Sequence, residues 1–188
     1  MKRHVAAVVA LLTSLAVIDS HVDWEQLDGR GVLAVNGQRF DLQGWAAELA
    51  LAWRRDCSAL APLTPDSPTA QALVGAIQGH SLPDSLSARG VQLRQLDGWG
   101  LAEVTFDTLK PALVVLRLQE GHWRVQDQAV WSGATAPWHS GDFVRRYLQR
   151  QAPDLPQALL GCMDIDPTRY GQGPGGLGPV PSPGSRLR

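Results

Sequence analysis

The stretch "VQLRQLDGWGLAEVTFD", Val91 to Asp107, is joined by "TLKP" to "ALVVLRLQEGHWRVQDQAVW", Ala112 to Trp131, and its reading decides the fold. Each half holds two short apolar–polar runs around a dipeptide ending in glycine, Asp97-Gly98 and Glu120-Gly121. A two-residue hairpin turn needs positive φ, which glycine and a preceding small polar residue adopt at low cost. With a period of two, Ala102, Val104 and Phe106 share a face. So do Ala112, Val114, Leu116 and Leu118, then Trp123 and Val125 beyond the turn. Four consecutive antiparallel strands follow, with Leu109-Lys110-Pro111 turning the middle connection. This predicts a meander with one apolar and one polar face, whose apolar side helices must cover.

Upstream, "GVLAVNGQRFDL" (residues 31–42) places Asn36-Gly37 between two further short runs, a strong hairpin signal. Asp41 stands at an N-cap position. From there Leu42, Trp45, Leu49, Trp53 and Cys57 recur at steps of three and four, which predicts a helix burying that stripe. Ser67-Pro68 supplies an N-cap and a first-turn proline, and Gly79 closes a second helix whose apolar set is Ala70, Leu73, Val74 and Ile77. His80 just past that end reads as a helix-terminal cation, and His122 as a solvent-facing strand residue. Beyond the meander, Phe143, Val144, Tyr147 and Leu148 define a helix begun near Ser140. "APDLPQALLGCM" makes a short last one with Asp154 at its cap and Leu155, Leu159 and Cys162 inward. The expected fold is α+β: a curved four-stranded antiparallel meander packed against helices, with an N-terminal β-hairpin.

The ends of the chain differ from this middle. Residues 1–20 read as an export signal, with Lys2 and Arg3 ahead of an apolar run from Val5 to Ile18. That run is shorter than the roughly 20 residues of a membrane span. An uncleaved anchoring segment is the alternative. Residues 21–165 form a single α+β domain, and 166–188 read as a disordered tail rich in glycine and proline. Export implies a periplasmic or secreted protein, with no stable membrane span once the signal is removed. In that oxidising setting the two cysteines, Cys57 and Cys162, are expected to pair, the alternative being two separate buried thiols.

With 17 basic and 18 acidic residues, a formal charge of −1, the chain lacks the electrostatic footprint of a nucleic-acid binder. No cofactor motif stands out, and neither cysteine has a second ligand at zinc spacing. Asp164 and Asp166 alternate like a piece of a calcium loop but lack its glycine and distal glutamate. The segment "VWSGATAPWHSGDF" (residues 130–143) offers the remaining chemistry. Ser140 and Asp142 suit a helix start, the hydroxyl accepting from a free backbone N–H. His139 could act as base or acid with Asp127 or Asp142, although no nucleophile is marked. Phe106, Trp123, Trp131 and Trp138 could instead line an apolar pocket.

The element order, with Trp123, Val125 and Asp127 as a W-x-V-x-D strand, resembles the NTF2-like (cystatin-like) superfamily over about residues 41–131. That resemblance implies a sheet closed over a helix, and either a pocket-binding module or a lyase or isomerase using a His–Asp dyad. Asp127 is the one position it marks as a pocket acid. Two helices after the sheet depart from a pattern that tends to end on a strand. The leading expectation is a non-enzymatic exported domain binding a protein partner of the cell envelope or a small apolar ligand. The alternative is a lyase, isomerase or hydrolase built on His139 with Asp127 or Asp142.

Overall fold

The computed structural model describes residues 21–27, 29–132 and 140–166. The expected export signal, Trp138 and His139, and nearly all of the expected tail lie outside these residues. In the described chain the order is β1 (Val22–Leu27), β2 (Arg30–Val35), β3 (Gln38–Phe40), α1 (Leu42–Arg54), α2 (Pro68–Gln78), a 3-10 turn (Asp84–Ser87), β4 (Arg89–Leu96), β5 (Trp99–Thr105), β6 (Ala112–Gln119), β7 (His122–Ser132), α3 (Gly141–Gln151) and α4 (Gln157–Cys162). Strands β4 to β7 form the expected antiparallel meander in sequence order. Its hairpins turn on Asp97-Gly98 and Glu120-Gly121, all four residues at positive φ (49°, 74°, 51° and 80°). Asn36-Gly37 does the same between β2 and β3. The N-terminal unit is larger than a hairpin, because β1 pairs along the outer edge of β2 from Val22↔Val35 to Leu27↔Arg30. The alternation of "VDWEQL" is too polar to announce that strand on its own.

The meander is apolar on both faces, not on one. Leu101, Leu113, Val115 and Ala129 point one way, into a core with Val144 and Leu148 of α3 and Leu159 and Leu160 of α4. Ala102, Val104, Ala112, Val114 and Leu116 point the other way, onto Ala70, Leu73 and Ile77 of α2. Continuous runs such as "ALVVL" are what a strand buried on both sides requires. Helices therefore cover both sides of the sheet. Glu103, which alternation would assign to a polar face, is 1% exposed beside Leu101 and Leu113.

Helix α1 packs with the opposite side from the one its periodicity suggested. Gly44 is its buried residue, while Leu42, Trp45, Leu49 and Trp53 are all exposed. The inward side is held by polar and covalent ties. Asp41 caps the helix, accepting from the Gly44 N–H at 2.8 Å, and also accepts from the Ser140 hydroxyl at 3.2 Å. Arg145 of α3, itself buried, donates to Glu48 of α1 at 3.0 Å and to the carbonyls of Leu160 and Met163. The expected disulfide joins Cys57, just after α1, to Cys162 at the end of α4. Periodicity shows which residues share a face; here these ties decide which face turns inward.

Two caps differ from expectation. Ser140 does precede α3, but its hydroxyl donates across to Asp41 and makes no capping bond. The last helix starts after Pro156 instead of Asp154. The Asp41–Ser140 contact carries a prediction. A methyl group on Gly44 would enter the space of the Asp41 carboxylate and the Ser140 hydroxyl. Gly44→Ala should therefore cost about 1–3 kcal/mol in a thermal or urea melt, despite alanine's better helix propensity.

Candidate functional site

Strand β7 builds the site through a break in its alternation. Trp123 and Val125 follow the pleat and pair with Leu118 and Leu116, but the next pair on β6 is Val114 with Val130. The extra residues of β7 bulge out, so the parity of inward and outward flips across Gln126–Gln128. Val125 and Val130 consequently face the same side, although their odd spacing would separate them in a regular strand. Trp131 falls on the opposite side, edge-on to Phe143 at 5.6 Å and to Tyr147 at 5.0 Å.

The bulge leaves a space where α2 ends. Gly79 closes that helix, and the chain returns through the 3-10 turn before entering β4. Between them lies a cavity of about 380 Å³. Its apolar walls are Ile77, Phe106, Leu109, Ala112, Val114, Val125 and Val130. Its polar rim is His80, Ser81, Ser85, Lys110 and Ser132. Two of the three serine hydroxyls are already engaged: Ser85 donates to the Gln78 carbonyl at 2.9 Å and accepts from the Ser81 N–H, while Ser132 donates to the Pro111 carbonyl. His80 stands 3.6 Å from Asp127. Among the described residues Lys110 makes no ion pair, so its ammonium is the charge at this rim left for a visiting group.

Of the residues singled out from sequence, Phe106 lines this cavity, and Trp123 packs on the same face of the sheet without lining it. Trp131 belongs to the other core, so the proposed aromatic set does not converge. Trp138 lies outside the described residues. Asp127 sits on the bulge with its side chain 79% exposed, beside His80 and not inside the pocket. Asp142 is held by two arginines, Arg30 and Arg146, the latter at 3.0 Å. His139 lies outside the described residues, so the geometry of its expected dyads is not described. Sequence reading missed Ile77, His80, Lys110 and Val130 as neighbours. The signal was present in "WRVQDQAV", where a polar residue occupies the place an inward apolar residue should take.

A second surface stands out. Trp24 is 50% exposed, Trp45 49%, Leu49 61% and Trp53 84%. A larger groove of about 520 Å³ runs between α1, α3 and α4, and its wall includes Arg145, Arg146 and Asp142, which the internal ion pairs already use. Among the described residues, no three His, Cys, Asp or Glu side chains gather as metal ligands would. No helix among them is long and apolar enough to cross a membrane.

No protein-family model matches the chain, and no curated protein or solved structure does so either.

Proposed function

We propose that this chain is an exported, non-enzymatic binding domain that takes a small apolar ligand with a polar or anionic end. The cavity at the end of α2 carries the reading. Its volume falls in the range of about 300–1,000 Å³ common to small-molecule sites, and its walls are mostly aliphatic with few polar groups at the rim. An apolar body would fill the space between Ile77, Phe106 and Val130, and Lys110 would meet the polar end. The NTF2-like reading agrees with a pocket lying between a helix and a sheet, and we keep it as a proposal. The disulfide suits an oxidising compartment, which supports export. A non-enzymatic role is favoured by the two candidate carboxylates: one is exposed and the other is neutralised by arginines.

The reading predicts a specific loss. Val125→Phe should fill the cavity, because the added ring points into empty space. Thermal shifts induced by medium-chain carboxylates in the parent should vanish, while intrinsic stability changes by about 1 kcal/mol or less. Undiminished ligand stabilisation in that variant would place binding elsewhere.

A further inference from the structure

The exposed tryptophans form one continuous ridge. In the small sheet Trp24, Leu33 and Phe40 lie directly opposite one another across β1, β2 and β3. The Phe40 ring meets Trp45 edge-on at 6.1 Å, and Trp45 leads along α1 to Leu49 and Trp53. Soluble domains seldom leave so much aromatic surface uncovered. The cavity plays no part in this feature.

We propose that the ridge is a membrane-interface surface, seated at the headgroup boundary of a lipid bilayer. Two observations choose that occupant. Tryptophan is the residue most at home at this boundary, with an apolar body and one N–H for the wet side. The apolar run Val5–Ile18 ends only three residues before β1, and Trp24 is the third residue of that strand. Six residues of extended chain span at most about 20 Å. A bilayer that holds this run therefore meets the ridge at high local concentration. Glu25, beside Trp24, is already paired with Arg39 at 2.7 Å. The ridge lies in the interface and does not cross it, as amphipathic surfaces of this kind do.

The test uses the full chain and vesicles of phosphatidylethanolamine and phosphatidylglycerol whose acyl chains are brominated near the headgroup. Residues 1–20 contain no tryptophan, so quenching of tryptophan emission reports the domain and not the apolar run. The expected result is strong quenching in the parent, with most of it lost in Trp45→Phe/Trp53→Phe. Phenylalanine keeps the surface apolar but removes the emitters. Near-UV dichroism checks the fold, and Trp53→Phe alone serves if the double variant is perturbed. Absence of quenching, or quenching unchanged in these variants, overturns the proposal. So does a lipid-free chain that sediments as a dimer with Trp45 and Trp53 shielded from acrylamide, since the ridge would then belong to a second copy.

Discussion

Replacing both cysteines by serine is expected to lower the stability of the domain by about 4 kcal/mol. The Cys57–Cys162 bridge closes a loop with a sequence separation of 105. In the chain-entropy account a loop of roughly 100 residues is worth about 4.7 kcal/mol, by restricting the unfolded chain. The bridge also fixes a contact that packing secures only weakly. Helix α1 shows its apolar stripe to solvent, so its attachment rests on polar ties and on this bond. Thermal melts with and without reductant would measure the effect. For a chain of this size the midpoint should fall by roughly 10 °C, and reductant should leave the double-serine variant unchanged. The end of α1 should then loosen before the meander does, seen as faster amide exchange over residues 51–57.

Arg145→Met should cost about 3–5 kcal/mol, the range found when one partner of a buried ion pair is removed. Arg145 is 8% exposed and ties two elements to its own helix: Glu48 on α1 and the carbonyls of Leu160 and Met163 at the end of α4. Methionine keeps the aliphatic stem but removes every donor, leaving the Glu48 carboxylate and two carbonyls without that partner. A double-mutant cycle separates these parts. Adding Glu48→Gln should recover a share of the loss, because the stranded charge is gone while the carbonyls remain unserved. Urea melts of the two single variants and the double variant would provide the values. Strict additivity would mean that the Arg145–Glu48 pair contributes nothing of its own.

Both expectations arise from features that differ in how far the sequence announced them. The cysteine pair was legible because the chain holds two cysteines and neither has a second ligand at metal spacing. Turns and caps were equally legible: Asn36-Gly37, Asp97-Gly98 and Glu120-Gly121 encode positive φ locally, and Ser67 with Pro68 encodes a helix start. Arg145 gave no sign, because an arginine on a helix looks solvent-exposed until its neighbours from residues 48 and 160–163 are known. The stripe on α1 misled for a related reason. Hydrophobic periodicity normally marks the buried face, and here the buried face is made by Gly44, Glu48 and their distant partners. The cavity was half legible. Phe106 was found from its place in the alternation, whereas Trp131 was set beside it and Val130 was missed, because the bulge at Gln126–Gln128 reverses parity. Local pattern encodes strands and turns well, but long-range register and side selection depend on contacts many residues apart.

The most direct measurement of the central claim is a methyl-resolved NMR titration of the full chain with decanoate, a carboxylate-bearing apolar probe. The account predicts saturable shifts at Ile77, Val114, Val125 and Val130, with still methyls at Leu101, Leu113 and Val115 across the sheet, and weaker affinity in Lys110→Gln. Still methyls around the cavity, or shifts confined to Leu42 and Leu49 on the exposed ridge, would contradict it.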